Sequence, residues 1–261
     1  MIILIHSSKT MRPPTEVFDG TLTTPLLLDD ATRISQYTRS LSIDAIKKTM
    51  HISDKLAETT RDLLHSWNTN ANQQRAAIDS FLGDIYSGMQ VGRLTGDDRS
   101  YANEHLRILS GMYGILRPLD GIYPYRFELG YKFPDAPYKN LYLFWADKIA
   151  NTLPTGEPII DLSAVEYGKT VTPYVDADRI ISPRFLTISP KTGQPIFVVV
   201  HAKIARGAFA SWMVRNKIED VEKLQEFQEI GYAYSPELSS KKVPIFVCQK
   251  FGGIGLSVRL T

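Results

Sequence analysis

The chain opens Met1-Ile2-Ile3-Leu4-Ile5-His6-Ser7-Ser8-Lys9-Thr10. This apolar run is too short for a helix but long enough for a buried strand, and the polar residues Ser7 to Thr10 end it. Helical signals follow. Asp29 to Arg39, Ser42 to Met50 and Ser53 to Trp67 each begin at a residue able to cap a helix, and Asp44 and Asp54 fall in first turns, where a carboxylate complements the helix dipole. Gln73 to Phe81 and Asp97 to Leu109 continue the pattern, the second with Tyr101, Leu106 and Leu109 on one side and Arg99, Asn103 and Arg107 on the other. Pro118, Pro124 and Pro134 predict turns and one short helix between Gly111 and Pro137. Leu141 to Leu153 reads as helix. Strand signals then appear at Pro158 to Leu162, Ile180 to Ile188 and Ile196 to Ala202, with a hairpin loop at Pro190 to Gln194. Lys203 to Lys217 and Val221 to Phe227 read as helices and Val243 to Lys250 as a last strand. No repeat, low-complexity tract or charged linker divides the sequence. The expectation is an α+β fold, a single domain over residues 1–261 with a mixed β-sheet flanked by several helices.

Composition narrows the function classes. With 261 residues, 43% hydrophobic and 22% charged, the chain has enough material to bury roughly three quarters of its unfolded surface. No run approaches the ~18 to 20 apolar residues of a membrane helix. The start is apolar first and basic at Lys9, the reverse of a secretory signal, so a cytoplasmic location is expected. The single cysteine, Cys248, excludes an internal disulfide, and no Cys/His cluster stands at metal spacing. Neither a metal nor another cofactor is expected, and a monomer is favoured.

Net charge is +2, but it is unevenly distributed. Residues 1–178 hold 18 basic and 22 acidic residues, a balance of −4; residues 179–261 hold 12 basic and 6 acidic, a balance of +6. Arg179, Arg184, Lys191, Lys203, Arg206, Arg215 and Lys217 all precede the next carboxylate, Glu219. A local positive field of this kind suits a polyanion.

Three constellations could carry chemistry. On the helix Lys203 to Lys217, 100° per residue puts Lys203, Arg206 and Lys217 on one face and Ile204, Ala205, Ala208 and Trp212 on the other, either a phosphate-contacting surface or a solvated one. Gly207, costly in a helix interior, implies that another backbone comes close. At Leu109-Ser110-Gly111-Met112-Tyr113-Gly114-Ile115-Leu116, paired glycines flanked by Arg107 and Arg117 fit a phosphate-approaching hairpin or a plain helix-ending turn with Gly111 as its left-handed cap. Asp161, Glu166 and Lys169 resemble the acids and lysine of a metal-dependent nuclease, but two residues separate Glu166 from Lys169 where that arrangement has one. The five histidines are scattered and read as surface or satisfied core residues.

Taken in order, these motifs resemble the YaaA family of bacterial peroxide-stress proteins. The resemblance rests on Ser8-Lys9-Thr10, Ile52 to Ala57, Phe81-x-Gly-Asp-x-Tyr-x-Gly88, His105 to Asp120, Pro124-Tyr125-Arg126, Phe144-Trp145, Glu166-Tyr167-x-Lys169 and Ala202-Lys203-x-Ala-Arg206-Gly207. It implies a family-specific mixed fold with a helix-hairpin-helix-like element. It also implies a positively charged cleft that binds DNA, and a role in limiting damage when peroxide and iron meet. By position, Lys9, Lys55, Arg107, Arg117, Arg126, Lys203 and Arg206 would line the cleft, and Gly111 and Gly114 would form the hairpin. No catalytic residue is implied. The family's Ser-Pro-Ala-Lys-Thr stands here as His6-Ser7-Ser8-Lys9-Thr10, and an arginine that follows the Arg-Gly pair is replaced by Ser211 or Trp212, with Arg215 one turn beyond Ser211.

Overall fold

The computed structural model describes residues 1–14, 21–70, 73–134 and 136–255. The opening run is strand β1 (Ile2–His6), followed by the two-residue β2 (Thr10–Met11) and the helices α1 (Leu28–Thr38), α2 (Ile43–Met50) and α3 (Asp54–Ser66). Two of the three capping signals hold: Ser42 and Ser53 accept from the backbone N–H groups of Ala45 and Leu56, whereas α1 starts at Leu28 without a side-chain cap and Asp29 falls in its first turn.

Gln73 to Phe81 is not one helix. It divides into β3 (Arg75–Ala76), a single turn α4 (Ala77–Ser80) and β4 (Phe81–Leu82), because β3 and β4 are claimed by antiparallel partners elsewhere in the chain. Then come α5 (Asp84–Met89) and α6 (Gly96–His105), the latter opened by a reciprocal Thr95–Asp98 capping box. The expected helix Asp97 to Leu109 stops at His105, and Leu106–Ser110 is β5, joined by a tight turn to β6 (Gly114–Leu116). Leu106 and Leu109 have helical spacing, but every residue of β5 is buried, and a strand buried on both faces carries no period of two. Gly111 and Gly114 therefore sit in a strand-turn-strand unit, where a helix-hairpin-helix-like element was expected.

Next are β7 (Gly121–Ile122), α7 (Leu141–Trp145), β8 (Ile159–Asp161), α8 (Val165–Gly168), β9 (Ile180–Ile181), β10 (Arg184–Ile188) and β11 (Pro195–Ile196). The predicted helix Leu141 to Leu153 breaks at Ala146, which adopts φ 41°. Of the predicted strand Ile196 to Ala202 only its first residue is strand: α9 (Val199–Arg215) takes over, and Val221–Glu226 is a 3₁₀ helix. Finally, β12 (Tyr232–Tyr234) and β13 (Ile245–Cys248) complete the order.

These elements form a mixed α+β fold with two main sheets. The first has the order β6-β5-β1-β8-β9, with β1 in the middle and parallel to both β5 and β8; the second has the order β11-β10-β13-β12. A phenylalanine cluster of Phe185, Phe209, Phe227 and Phe246 fills the space between the second sheet and α9.

α5 and α9 cross backbone to backbone. A Cβ at Gly88 would lie 2.0 Å from the Ile204 carbonyl oxygen, and one at Gly207 would lie 1.8 Å from that of Ile85. The close backbone approach implied by Gly207 is thus another protein helix. α9 is buried almost all round instead of having a basic face and a core face, and Lys203 and Arg206 are half-buried interruptions in it.

Candidate functional site

The chain passes from β1 to β5 on one side and then back across to β8 on the other. Connections that diverge from a central parallel strand leave a crevice beyond the strand carboxyl ends, where ligands of α/β sheets gather. A cleft of about 380 Å³ lies there. His6 to Lys9 enter it after β1, Gly83 to Tyr86 from the start of α5, Ala164, Glu166 and Tyr167 after β8, Glu128 from the connection before α7, and Lys203 from α9.

His6 is the most constrained group of the cleft. Its Nδ1 accepts the Ala164 N–H at 3.1 Å, its ring stacks on Tyr167 with centroids 4.9 Å apart, and Tyr86 donates its hydroxyl to the His6 carbonyl. Burial, reinforced by the charges of Arg206 and Lys203, pulls its pKa down to about 3. The imidazole is neutral at physiological pH, with its proton on Nε2, because Nδ1 is already an acceptor. Ser7 donates to the Tyr167 hydroxyl at 3.4 Å. Asp161, at the end of β8, accepts both the backbone N–H (2.9 Å) and the hydroxyl (2.6 Å) of Ser163 on Oδ1. Burial raises its pKa, against the opposing pull of those bonds and of Arg206.

Two of the expected cations, Lys9 and Lys203, line this cleft, and two more, Arg126 and Arg206, adjoin its residues. Lys9 pairs with Glu128 at 2.8 Å, and Arg126 donates to the Lys9 carbonyl at 3.2 Å. Lys203 and Arg206 project from α9 one turn apart, and neither forms an ion pair among the described residues. Carboxylates share the space. Glu128 is tied to Lys9, Glu166 accepts the Gly130 N–H at 2.8 Å, and Asp84 lines the wall. Of the cations lining the cleft, Lys203 is therefore the one without an ion-pair partner among the described residues, while Arg206 is in electrostatic contact with Asp161.

The other expected residues lie elsewhere. Lys55 is exposed in the first turn of α3 and does not line the cleft. Arg107 is buried in β5 and donates to the carbonyls of Asn103 and Leu106, and its burial lowers its pKa. Arg117 grips the fully buried Asp120 at 2.9 Å. Gly111 and Gly114 are buried against other protein atoms: Gly111 against the Phe127 carbonyl, and Gly114, with φ +69°, against the Trp145 ring, whose indole N–H donates to the Gly111 carbonyl. Protein atoms occupy the space beside both glycines. Lys217 stands beyond the end of α9 with φ 51° and pairs with Asp98 at 2.9 Å, so it is not on the face of Lys203 and Arg206. Arg215 pairs with Glu229. Of the nuclease-like trio, Lys169 is exposed, unlike the half-buried Asp161, and no group of three His, Cys, Asp or Glu side chains able to hold a metal occurs among the described residues.

Sequence reading missed His6, Ser7 and Tyr167 as site residues. The available signal was position: a polar residue that directly ends a fully apolar strand stands where a parallel sheet opens its crevice.

No helix among the described residues is long and apolar enough to cross a membrane. Residues 1–238 match the family model described as peroxide stress protein YaaA. Similar chains are named UPF0246 proteins. One from Salinispora tropica is 55% identical over 259 residues, covering 99% of this chain and 98% of that protein. One from Roseobacter denitrificans is 36% identical over 237 residues (88% and 92%), and one from Saccharophagus degradans is 35% identical over 255 residues (94% and 98%).

Proposed function

Because the chain belongs to the YaaA family of peroxide stress proteins, we propose that it binds DNA at the cleft beyond β1 and β8, holding backbone and shape and not base sequence, and so limits damage when peroxide and iron meet. The observation that supports this reading is the convergence of Lys9 and Lys203, from distant parts of the sequence, on one cleft, with Arg126 bonded to the Lys9 carbonyl and Arg206 within electrostatic reach of His6. Phosphate contacts from such side chains position a duplex without reading it. Glu128 and Glu166 already have partners and oppose the phosphate less than free carboxylates would. In this reading the protein is a cytoplasmic monomer without a cofactor.

The test is fluorescence anisotropy with duplex, junction and bubble DNA across a salt series. Affinity falls with salt because each neutralised phosphate releases counterions, and removing two phosphate contacts with Lys203→Ala and Arg206→Ala is expected to reduce the slope by about two. Absence of binding at low salt sinks the reading, and an unchanged slope moves the contact surface away from α9.

A second reading, a phosphate-handling hydrolase, is supported by the neutral His6 and Glu166 facing one cleft. Incubation with nicked, bubble and damaged DNA in Mg²⁺ or Mn²⁺ should then yield product, and Glu166→Gln should abolish it. No product under any of these conditions removes it.

A further inference from the structure

Beside the cleft lies a second concavity of about 590 Å³, and Gly83 and Tyr86 form part of the lining of both. Three arginines line it: Arg12 just after β2, Arg75 at the start of β3, and Arg93 at the end of the short 3₁₀ turn that follows α5. Ser87 and Gln90 add a hydroxyl and an amide.

Several arginines elsewhere in the molecule are matched by carboxylates. Arg99 holds Asp79 with two bonds of 2.8 and 2.9 Å, Arg117 holds Asp120, and Arg215 holds Glu229. The guanidinium groups of Arg12, Arg75 and Arg93 have no such partner among the described residues, and Nε of Arg75 is buried without an acceptor. Asp79, the acid on the same lining, is already neutralised by Arg99. Three like charges gathered around one space repel each other, and a buried N–H without an acceptor is costly. A ligand with several acceptor oxygens and negative charge relieves both, and the planar fork of arginine matches phosphate geometry.

We propose that the Arg12–Arg75–Arg93 concavity is a phosphate-binding site, which receives either the terminal phosphate of a small molecule or a phosphodiester of a strand continuing from the cleft. The site stands without the DNA reading of the cleft, and only its phosphodiester form rests on that reading. The probe is inorganic pyrophosphate, measured by calorimetry on the full chain at low salt. Arg12 and Arg93 are both exposed, so Arg12→Ala with Arg93→Ala leaves the core untouched, and Arg75→Gln serves as the second variant.

Both variants are expected to weaken pyrophosphate binding tenfold or more, while Lys203→Ala with Arg206→Ala leaves it unchanged. In parallel DNA titrations, a salt slope lower by about two in the exposed double variant assigns the phosphodiester as the ligand. Lost pyrophosphate binding with an unchanged DNA slope assigns a small phosphorylated molecule. Pyrophosphate that is not bound by the unaltered protein, or is bound equally by both variants, overturns the site. A salt slope insensitive to Lys203 and Arg206 counts against the cleft and leaves this site standing.

Discussion

The β5–β6 hairpin and the cleft at the end of β1 both place glycines beside basic residues in the sequence, and they use them in opposite ways. In the hairpin, Gly111 and Gly114 let the turn press against Phe127 and Trp145, and Arg117 is spent on the buried Asp120. In the cleft, Gly207 brings α9 onto α5 and leaves Lys203, without an ion-pair partner among the described residues, on the wall of a solvent-open space. A glycine next to an arginine reports close approach; whether the arginine faces a ligand depends on whether a carboxylate was folded in beside it.

Substitutions separate the two regions. The largest expected effect is at Gly207, where the Cβ of alanine would meet the Ile85 carbonyl at 1.8 Å. Gly207→Ala forces α5 and α9 apart and should cost about 3 kcal/mol, the upper range of overpacking, measured by urea unfolding, and DNA binding should fall with it because Lys203 moves. An alanine tolerated without loss would mean that the crossing is loose. In the hairpin, Arg117→Ala strips the fully buried Asp120 of its cation while Thr23 and the backbone N–H of residue 117 still serve it. The expected cost is about 2 to 3 kcal/mol with an unchanged salt slope for DNA, and a changed slope would return Arg117 to the binding surface.

The effect that is smallest near neutral pH is at His6, and it grows as the pH falls. Its folded pKa, about 3, lies below the ordinary 6.5, so between those values the unfolded chain binds more protons than the folded one. Stability is whole above pH 6.5 and declines as pH falls below it, by up to about 1.4 kcal/mol per unit. Asp161, raised by burial, acts in the opposite sense just above the ordinary carboxylate range. His6→Asn keeps an acceptor for the Ala164 N–H and should flatten the acid limb of a urea-midpoint profile; an unaltered limb would show that His6 charges freely in the folded state.

Much of the frame was legible in the residues. β1, the capped helices α2 and α3, and the significance of Gly207 follow from local chemistry that the structure keeps. The losses have one cause: local pattern yields to distant partners. Leu106 and Leu109 have helical spacing, but β1 takes them as strand; Val199 and Val200 have β-branched side chains, but α9 takes them as helix. Of the nine residues expected in the binding site, Lys9 and Lys203 line one cleft, with Arg126 and Arg206 adjoining it. Arg107 and Arg117 do not, and here the cause is local: the Asn103 carbonyl stands four residues before Arg107 and Asp120 three residues after Arg117, acceptors whose closeness only the folded backbone conformation reveals.

The place of β1 also has a consequence for how the protein is made. Ile2–His6 leaves the ribosome well before both of its neighbours, which begin at Leu106 and Ile159. Until then, an apolar segment with two open edges waits for chain not yet synthesised. Pairings of such sequence separation fold slowly and expose the kind of strand that aggregates, so nascent chains halted before Asp161 should be the species that chaperones retain.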